Sequence, residues 1–302
     1  MTVATSGPVG ICGLGPMGGP IAERLLSAGV ALTVWNRSAE KAVTFGDRGA
    51  TVAATPALAA APIVLTVLPD LAQVESVLEQ DEGLLVGWRR NRVVDPVLVI
   101  HGTTSPVATA AFAARVGAEH GVVVIDAPLS GGVVGAADGT LSIMVGGEAD
   151  RARQLNSIFA VYGRTIRYFG PSGNGALAKG CNQIVVAATV AAISESLSLA
   201  ARAGLDRDMV MDILEGGLAN SEVLRQKRSK WIDGDYREGG SARNQLKDLQ
   251  FVHDAAASFG IELSVADSVL DLFAQMVARG DGALDHTGVI RTISAGRIEE
   301  PT

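Results

Sequence analysis

Three glycines stand at G-x-G-x-x-G spacing in Gly13-Leu14-Gly15-Pro16-Met17-Gly18, directly after the apolar run Val9-Gly10-Ile11-Cys12. Met17, Ile21 and Leu25 then recur every four residues, so a strand, a tight turn and an amphipathic helix follow one another. In that context glycines let a backbone approach a pyrophosphate, and the helix N-terminus meets it with N–H groups and a partial positive charge. A second strand, Ala31-Leu32-Thr33-Val34-Trp35, ends near the distance at which an adenosine ribose is read. An acidic residue there would hold the 2′-hydroxyl of NAD; this chain has Asn36-Arg37-Ser38. Arg37 can pair with and stack over the adenosine end, and Ser38 can donate to a 2′-phosphate. NADP(H) is therefore the expected cofactor, with NAD(H) as the alternative.

Two further stretches could do chemistry. Asp126-Ala127-Pro128-Leu129-Ser130-Gly131-Gly132-Val133-Val134-Gly135-Ala136 follows an apolar run. The Ser130 hydroxyl and the N–H groups of Gly131 and Gly132 can form a small anion receptor, although a flexible hairpin loop has the same composition. In Gly173-Asn174-Gly175-Ala176-Leu177-Ala178-Lys179-Gly180-Cys181-Asn182-Gln183, the residues Lys179, Asn182 and Gln183 fall at i, i+3 and i+4 on one helix face. That face runs into an apolar helix, so partial burial of the lysine is expected. Desolvation disfavours an ammonium, which fits a general acid whose proton moves near neutral pH. A structural lysine held by a carboxylate is the other reading.

These residues need elements to place them. Strand candidates at Thr51-Val52-Ala53, Ile63–Leu68, Val97–Ile100 and Val122–Ile125 alternate with helical segments, which implies parallel β-α-β units covered on both faces. After Phe169-Gly170-Pro171 the strand signals stop and helices are expected over about 175–204, 208–216, 242–259 and 264–279. The reading is an α/β fold: an N-terminal doubly wound Rossmann domain over 1–170, then an all-α domain over 171–302. The stretch Ile184–Ile193 is apolar nearly all round, as in a helix buried on every side between domains or subunits.

Composition narrows the class. The 302 residues are 48% hydrophobic and carry 25 Lys+Arg against 32 Asp+Glu, a net charge of −7, which argues against a nucleic-acid partner. The run Trp88-Arg89-Arg90-Asn91-Arg92 is read as an exposed loop or helix end. Cys12 and Cys181 make no disulfide framework, and four scattered histidines offer no metal-ligand spacing, so no metal is expected. Met1–Gly7 lacks the features of a signal peptide, and Ile184–Ile193 is about half the ~20 residues a bilayer span needs. A cytoplasmic protein without a membrane partner is expected.

Four stretches, Gly10–Gly18, Asp126–Gly135, Gly173–Gln183 and Lys247-Asp248-Leu249, resemble the β-hydroxyacid dehydrogenase family, that of 3-hydroxyisobutyrate dehydrogenase, in family order across nearly the whole chain. Gly139–Gly147, Lys179–Gln183, Gly216–Ser221 and Leu284-Asp285-His286 are similar to its tartronate semialdehyde reductase branch. The resemblance implies a 6-phosphogluconate dehydrogenase-like, two-domain oxidoreductase acting on a small β-hydroxy acid or semialdehyde, and a homodimer or homotetramer. It implies Lys179 as the catalytic acid, Ser130, Gly131 and Gly132 as the substrate-carboxylate turn, and Asn182 and Gln183 as further substrate residues. Leu68, Pro69 and Thr103 match cofactor-contacting loops, and Lys247 matches a lysine that closes over nicotinamide and substrate. The chain departs from the family pattern at Ile100-His101-Gly102, where the strand usually ends in Asp, in the longer Trp88–Asp95 segment, and at Glu238-Gly239-Gly240, where Pro-Gly-Phe is usual. These departures point to the substrate pocket and its lid, and to a bulkier or non-carboxylate substrate. Imine reductases resemble the family but usually lack the lysine, so Lys179 argues against that activity. A non-catalytic dinucleotide-binding module would have no need of an acid at 179.

Overall fold

The computed structural model describes residues 7–237 and 239–295; the leader-peptide reading of Met1–Ser6, and Glu238, lie outside the described residues. The first half alternates strand and helix: β1 (Val9–Cys12), α1 (Gly18–Ser27), β2 (Leu32–Trp35), α2 (Ala39–Gly46), β3 (Thr51–Val52), β4 (Ile63–Thr66), α3 (Leu71–Glu79), α4 (Leu84–Asn91), β5 (Val97–Ile100), α5 (Pro106–His120) and β6 (Val123–Asp126). It continues with β7 (Leu129–Ser130), α6 (Gly132–Asp138), β8 (Leu141–Gly146), α7 (Ala149–Gln154), α8 (Asn156–Tyr162) and β9 (Gly163–Gly170). The helices α9 (Asn174–Arg202), α10 (Arg207–Gly216), α11 (Glu222–Asp233), α12 (Ala242–Ser258), α13 (Ser264–Met276) and α14 (Val289–Ala295) follow.

The strands lie in the order β3-β2-β1-β4-β5-β6-β8-β7, with β9 paired to β8. From β3 to β6 every pairing is parallel. The order reverses between β1 and β4, the switch point at which doubly wound sheets bind ligands. Neighbouring strand residues face opposite ways. Ile11, Leu65, Val99 and Ile125 enter a core with Ile21, Leu25 and Phe159, while Cys12, Val64, Leu98 and Val124 enter a second with Leu78, Trp88 and Phe112. Helices therefore cover both faces, as the sequence implies.

The sheet is not wholly parallel. The strand β8 runs antiparallel to β6 and β7, while β9 lies parallel to β8. The apolar run of β8 is the buried-strand signal, but β9 exposes most of its residues and carries no clean alternation. Trp88 is buried, its indole N–H donating to Ala61 O at 2.7 Å, while Arg89-Arg90-Asn91-Arg92 after it are exposed.

The chain divides by its internal packing into two compact units, Met1–Lys179 and Gly180–Thr302, a division that falls inside α9. The first turn of α9 is tied to Asp126 of β6, which holds it in the N-terminal unit. In the C-terminal unit, Val190 and Leu197 of α9 pack with Met211, Trp231, Leu249, Phe273 and Val289. The indole N–H of Trp231 donates to Ser194 Oγ at 3.0 Å. Sequence periodicity missed α11, which buries only Leu224 and Trp231. The helix expected to reach Arg279 ends at Met276 and passes into a wider turn, Val277–Asp281, with Gly280 at φ 90°. By length and composition α9 could cross a membrane, but much of its apolar surface lies in this core. Within the single chain, Val185 is 64% and Leu199 72% exposed.

Candidate active site

The glycine loop is set by its own packing at two of three positions. Gly13 adopts φ 104°, and a side chain on it would lie 2.5 Å from Val67 O. A side chain on Gly18 would run into the Gly13 carbonyl. Gly15 is different: the space a Cβ would fill is open to 4 Å, so the fold itself does not demand glycine there. That open space leaves room for the close approach of a ligand. The helix behind it, α1, has no acidic residue in its first turn and no side-chain cap, which leaves its positive end to an external anion.

Asn36 braces this loop. Its Oδ1 accepts from Leu14 N–H at 2.8 Å, and its Nδ2 donates to Ser38 O at 3.0 Å. Its amide therefore joins the loop ends of β1 and β2. Arg37 is exposed, and Ser38 starts α2 without capping it through its side chain. Leu68 and Pro69 follow β4. A side chain on Gly102 would collide with Leu68 O, so glycine lets the loops after β4 and β5 touch. Thr103 stands half-buried beside it. Gly13–Gly18, Asn36, Leu68, Pro69 and Thr103 thus gather at the carboxyl ends of adjacent strands. These residues fit a dinucleotide.

The second group lies after β6. The Asp126 carboxylate is fully buried and accepts N–H bonds from Gly173 at 2.9 Å and Ala176 at 2.8 Å. It caps α9 from across the fold, an anion at a helix N-terminus. Burial raises its carboxyl group above the ordinary range, and the backbone N–H groups of Gly173 and Ala176 offset part of that rise. Two glycines admit it: a Cβ on Gly146 would lie 2.7 Å, and one on Gly175 2.8 Å, from an Asp126 carboxylate oxygen. Lys179 follows Ala176 by three residues and is 7% exposed. The position of Lys179 is thus set by a carboxylate 53 residues earlier (179 − 126). Ser130 ends β7, paired with Ser142 of β8, and Gly131 and Gly132 follow at φ 130° and 67°. The turn is built against β8 and is not a free hairpin. Both Gly131 and Gly132 lie in the positive-φ region that favours glycine.

In the C-terminal unit, Gln183 Nε2 donates to Asp248 Oδ2 at 2.7 Å, and Lys247 Nζ lies 3.3 Å from Asp248 Oδ1. Lys247 Nζ also sits 5.4 Å from the Phe251 ring centre. Asp248 thus joins two candidate residues, while Asn182 immediately precedes Gln183 on α9. A second carboxylate, Asp285, pairs with Lys227 at 2.6 Å and accepts from Thr287 Oγ1 at 2.7 Å. Burial works to raise its carboxyl, but His286, Lys227 and Thr287 outweigh that and hold it below the ordinary range. A side chain on Gly239, φ 138°, would run into this carboxylate, and His286 N–H donates to Gly240 O at 2.8 Å. The altered segment of the sequence is therefore pinned to Leu284-Asp285-His286. Sequence reasoning named neither Asp126, Asp248 nor Asp285 as site residues. The only signals were a carboxylate closing an apolar strand and one adjacent to a site lysine.

His101 is a correction of another kind. Its ring is buried: it is 4% exposed, with Nδ1 2.6 Å from Ala127 O and Nε2 3.0 Å from Tyr162 Oη. Burial pushes its pKa down to about 4. Among the described residues, no cluster of three His, Cys, Asp or Glu could hold a metal.

Comparison with known proteins agrees with this geometry. Residues 8–170 match the NAD binding domain of 6-phosphogluconate dehydrogenase, and residues 173–293 match the NAD-binding domain of NADP-dependent 3-hydroxyisobutyrate dehydrogenase. The chain is 32% identical over 287 residues to 2-hydroxy-3-oxopropionate reductase of Escherichia coli, covering 94% of this chain and 96% of that one. A crystal structure of 3-hydroxyisobutyrate dehydrogenase from Salmonella typhimurium superposes with a TM-score of 0.86 at 27% identity, covering 94% and 98%. The structure of the Mycobacterium tuberculosis 3-hydroxyisobutyrate dehydrogenase with L-serine superposes with a TM-score of 0.79 at 28% identity, covering 97% and 99%.

Proposed function

Because the chain belongs to the β-hydroxyacid dehydrogenase family and is an NAD(P)-dependent oxidoreductase, we propose that it interconverts a small β-hydroxy acid and its semialdehyde, of the 3-hydroxyisobutyrate or tartronate semialdehyde type, with NADP(H) preferred. The observation that carries this reading is Lys179, buried on a helix whose start is locked to Asp126 at the end of a Rossmann strand.

A bound nicotinamide supplies or accepts the hydride. In the reducing direction, Lys179 Nζ donates a proton to the carbonyl oxygen as negative charge builds there, and its ammonium stabilises that charge beforehand. In the oxidising direction the neutral amine takes the same proton back. The Ser130 hydroxyl and the N–H groups of Gly131 and Gly132 bind the substrate carboxylate, which orients the carbonyl. Asn182, Gln183 and Lys247 are the further polar groups that bind substrate and cofactor. Asp248 holds Gln183 and Lys247 in place. Arg37, exposed at the end of β2 with no carboxylate beside it in Asn36-Arg37-Ser38, supports NADP(H) over NAD(H). The family resemblance and the exposed stripe on α9 support a homodimer or homotetramer.

The test is oxidation of NADPH and NADH, followed by absorbance, with tartronate semialdehyde, methylmalonate semialdehyde, succinic semialdehyde, glyoxylate and one cyclic imine. Turnover of a carboxylated aldehyde, faster with NADPH, is the expected result. Turnover of the imine alone, or none despite tight cofactor binding, overturns the substrate assignment.

A further inference from the structure

We propose that His101 is a positioning residue that fixes the turn carrying Ser130 to the end of β5, the strand end that also presents Thr103. The proposal rests on the reading that Ser130, Gly131 and Gly132 hold the substrate carboxylate.

The hydrogen bonding allows one arrangement of the ring. Ala127 O can only accept, so the Nδ1–H of His101 donates to it across 2.6 Å. In the neutral ring Nε2 then carries the lone pair and accepts from the Tyr162 hydroxyl at 3.0 Å. Both nitrogens are satisfied with no charge, which suits a ring with edge-on contacts to Phe159 and Tyr162 at 5.9 and 5.7 Å between centres. The low pKa agrees with a ring that stays neutral.

The same bond controls the turn. Ala127 is fully buried, and its N–H donates to Ile100 O at 2.8 Å. Both backbone groups of Ala127 are therefore tied to residues 100 and 101. Pro128 follows with its φ fixed, and its carbonyl accepts from Met144 N at 3.1 Å. Leu129 and Ser130 then pair with β8. Little slack separates the His101 bond from the Ser130 hydroxyl. A carboxylate at position 101 would have only acceptors when ionised and could not donate to Ala127 O. The tie is thus a property of this chain's own histidine.

The experiment compares His101→Asn, His101→Gln and His101→Phe in the full-length protein. Asn offers an N–H near the place of Nδ1; Gln moves the donor towards Nε2; Phe keeps the ring and offers none. Amide hydrogen exchange over residues 127–135 is read against residues 13–25, together with KM for tartronate semialdehyde and for NADPH. Phe and Gln should raise exchange over 127–135 and the aldehyde KM by about tenfold, the size of one lost buried hydrogen bond, with residues 13–25 and the NADPH KM unmoved. Asn should restore both. If His101→Phe does not fold, the Asn and Gln variants decide, since they differ only in where the donor sits. Equal behaviour of Asn and Gln, or exchange over 127–135 unchanged in every folded variant, overturns the proposal. If the wild-type protein turns over none of the aldehydes, the substrate reading fails, and the exchange comparison still decides the role of His101.

Discussion

Lys179 is 7% exposed, and an ammonium buried to that depth needs a compensating partner or a role in the reaction. Lys179→Ala should lower kcat by roughly a thousandfold or more while leaving the NADPH dissociation constant within about threefold, because the acid acts on the substrate oxygen. Single-turnover kinetics beside fluorescence titration of cofactor check both halves. On the proposed reading, Arg37 acts at the far end of the same cofactor. Arg37→Asp should reverse the preference towards NADH, measured as the ratio of kcat/KM values, and an unchanged ratio would mean that Arg37 does not read the 2′-phosphate. His101 gives a third expectation. Its folded pKa of about 4 lies below the ordinary histidine value near 6.5, so the unfolded chain takes up the proton first as pH falls. The stability it contributes is complete above pH 6.5 and is lost towards pH 4, by up to about 3 kcal/mol. Urea midpoints measured between pH 7.5 and 4.5 should fall less steeply in His101→Phe than in the wild-type protein.

At the scale of elements, the glycine loop separates packing from binding. Gly18 touches the Gly13 carbonyl, whereas Gly15 faces open space. Gly18→Ala should destabilise the fold by about 2 kcal/mol through overpacking. Gly15→Ala should leave the melting temperature unchanged and weaken cofactor binding by about tenfold or more, because its Cβ would stand where the pyrophosphate approaches. Thermal melts with cofactor titration distinguish the two. A loss of stability in both variants, with affinity intact, would remove the dinucleotide from this loop. The start of α9 shows the opposite dependence: Asp126 of β6 accepts from the N–H groups of Gly173 and Ala176 there.

At the scale of the molecule, the exposed side of α9 is not solvent-like. Cys181, Val185, Ala188, Ala192, Glu195 and Leu199 follow one another at spacings of four and three, the pattern of a helix seam made to meet another helix. All but the half-buried Ala188 are exposed, and only Glu195 is charged. The wild-type chain should sediment as a dimer or tetramer, and the double variant Val185→Asp with Leu199→Asp should shift it to monomer at micromolar concentration. Sedimentation velocity reads the result; a monomeric wild type ends the assignment.

How much was legible depended on how local the cause was. The glycine loop, its helix and strands β1, β2, β4, β5 and β6 could be read because glycine spacing and apolar periodicity are properties of a short window. Lys179 could be placed on a helix for the same reason. The strand β9, most of it exposed, and the helix α11, burying only Leu224 and Trp231, carry too little periodic signal to be read that way. The sequence by itself determined the α/β class, the dinucleotide loop and the family motifs. Only the tertiary structure decided that Asp126 caps α9, that Asp248 joins Gln183 to Lys247, and that His101 turns inward to Ala127 and Tyr162. Each of these is a buried polar group whose partner lies far along the chain. A buried carboxylate or imidazole must find its partner in space, and no local pattern records where that partner is.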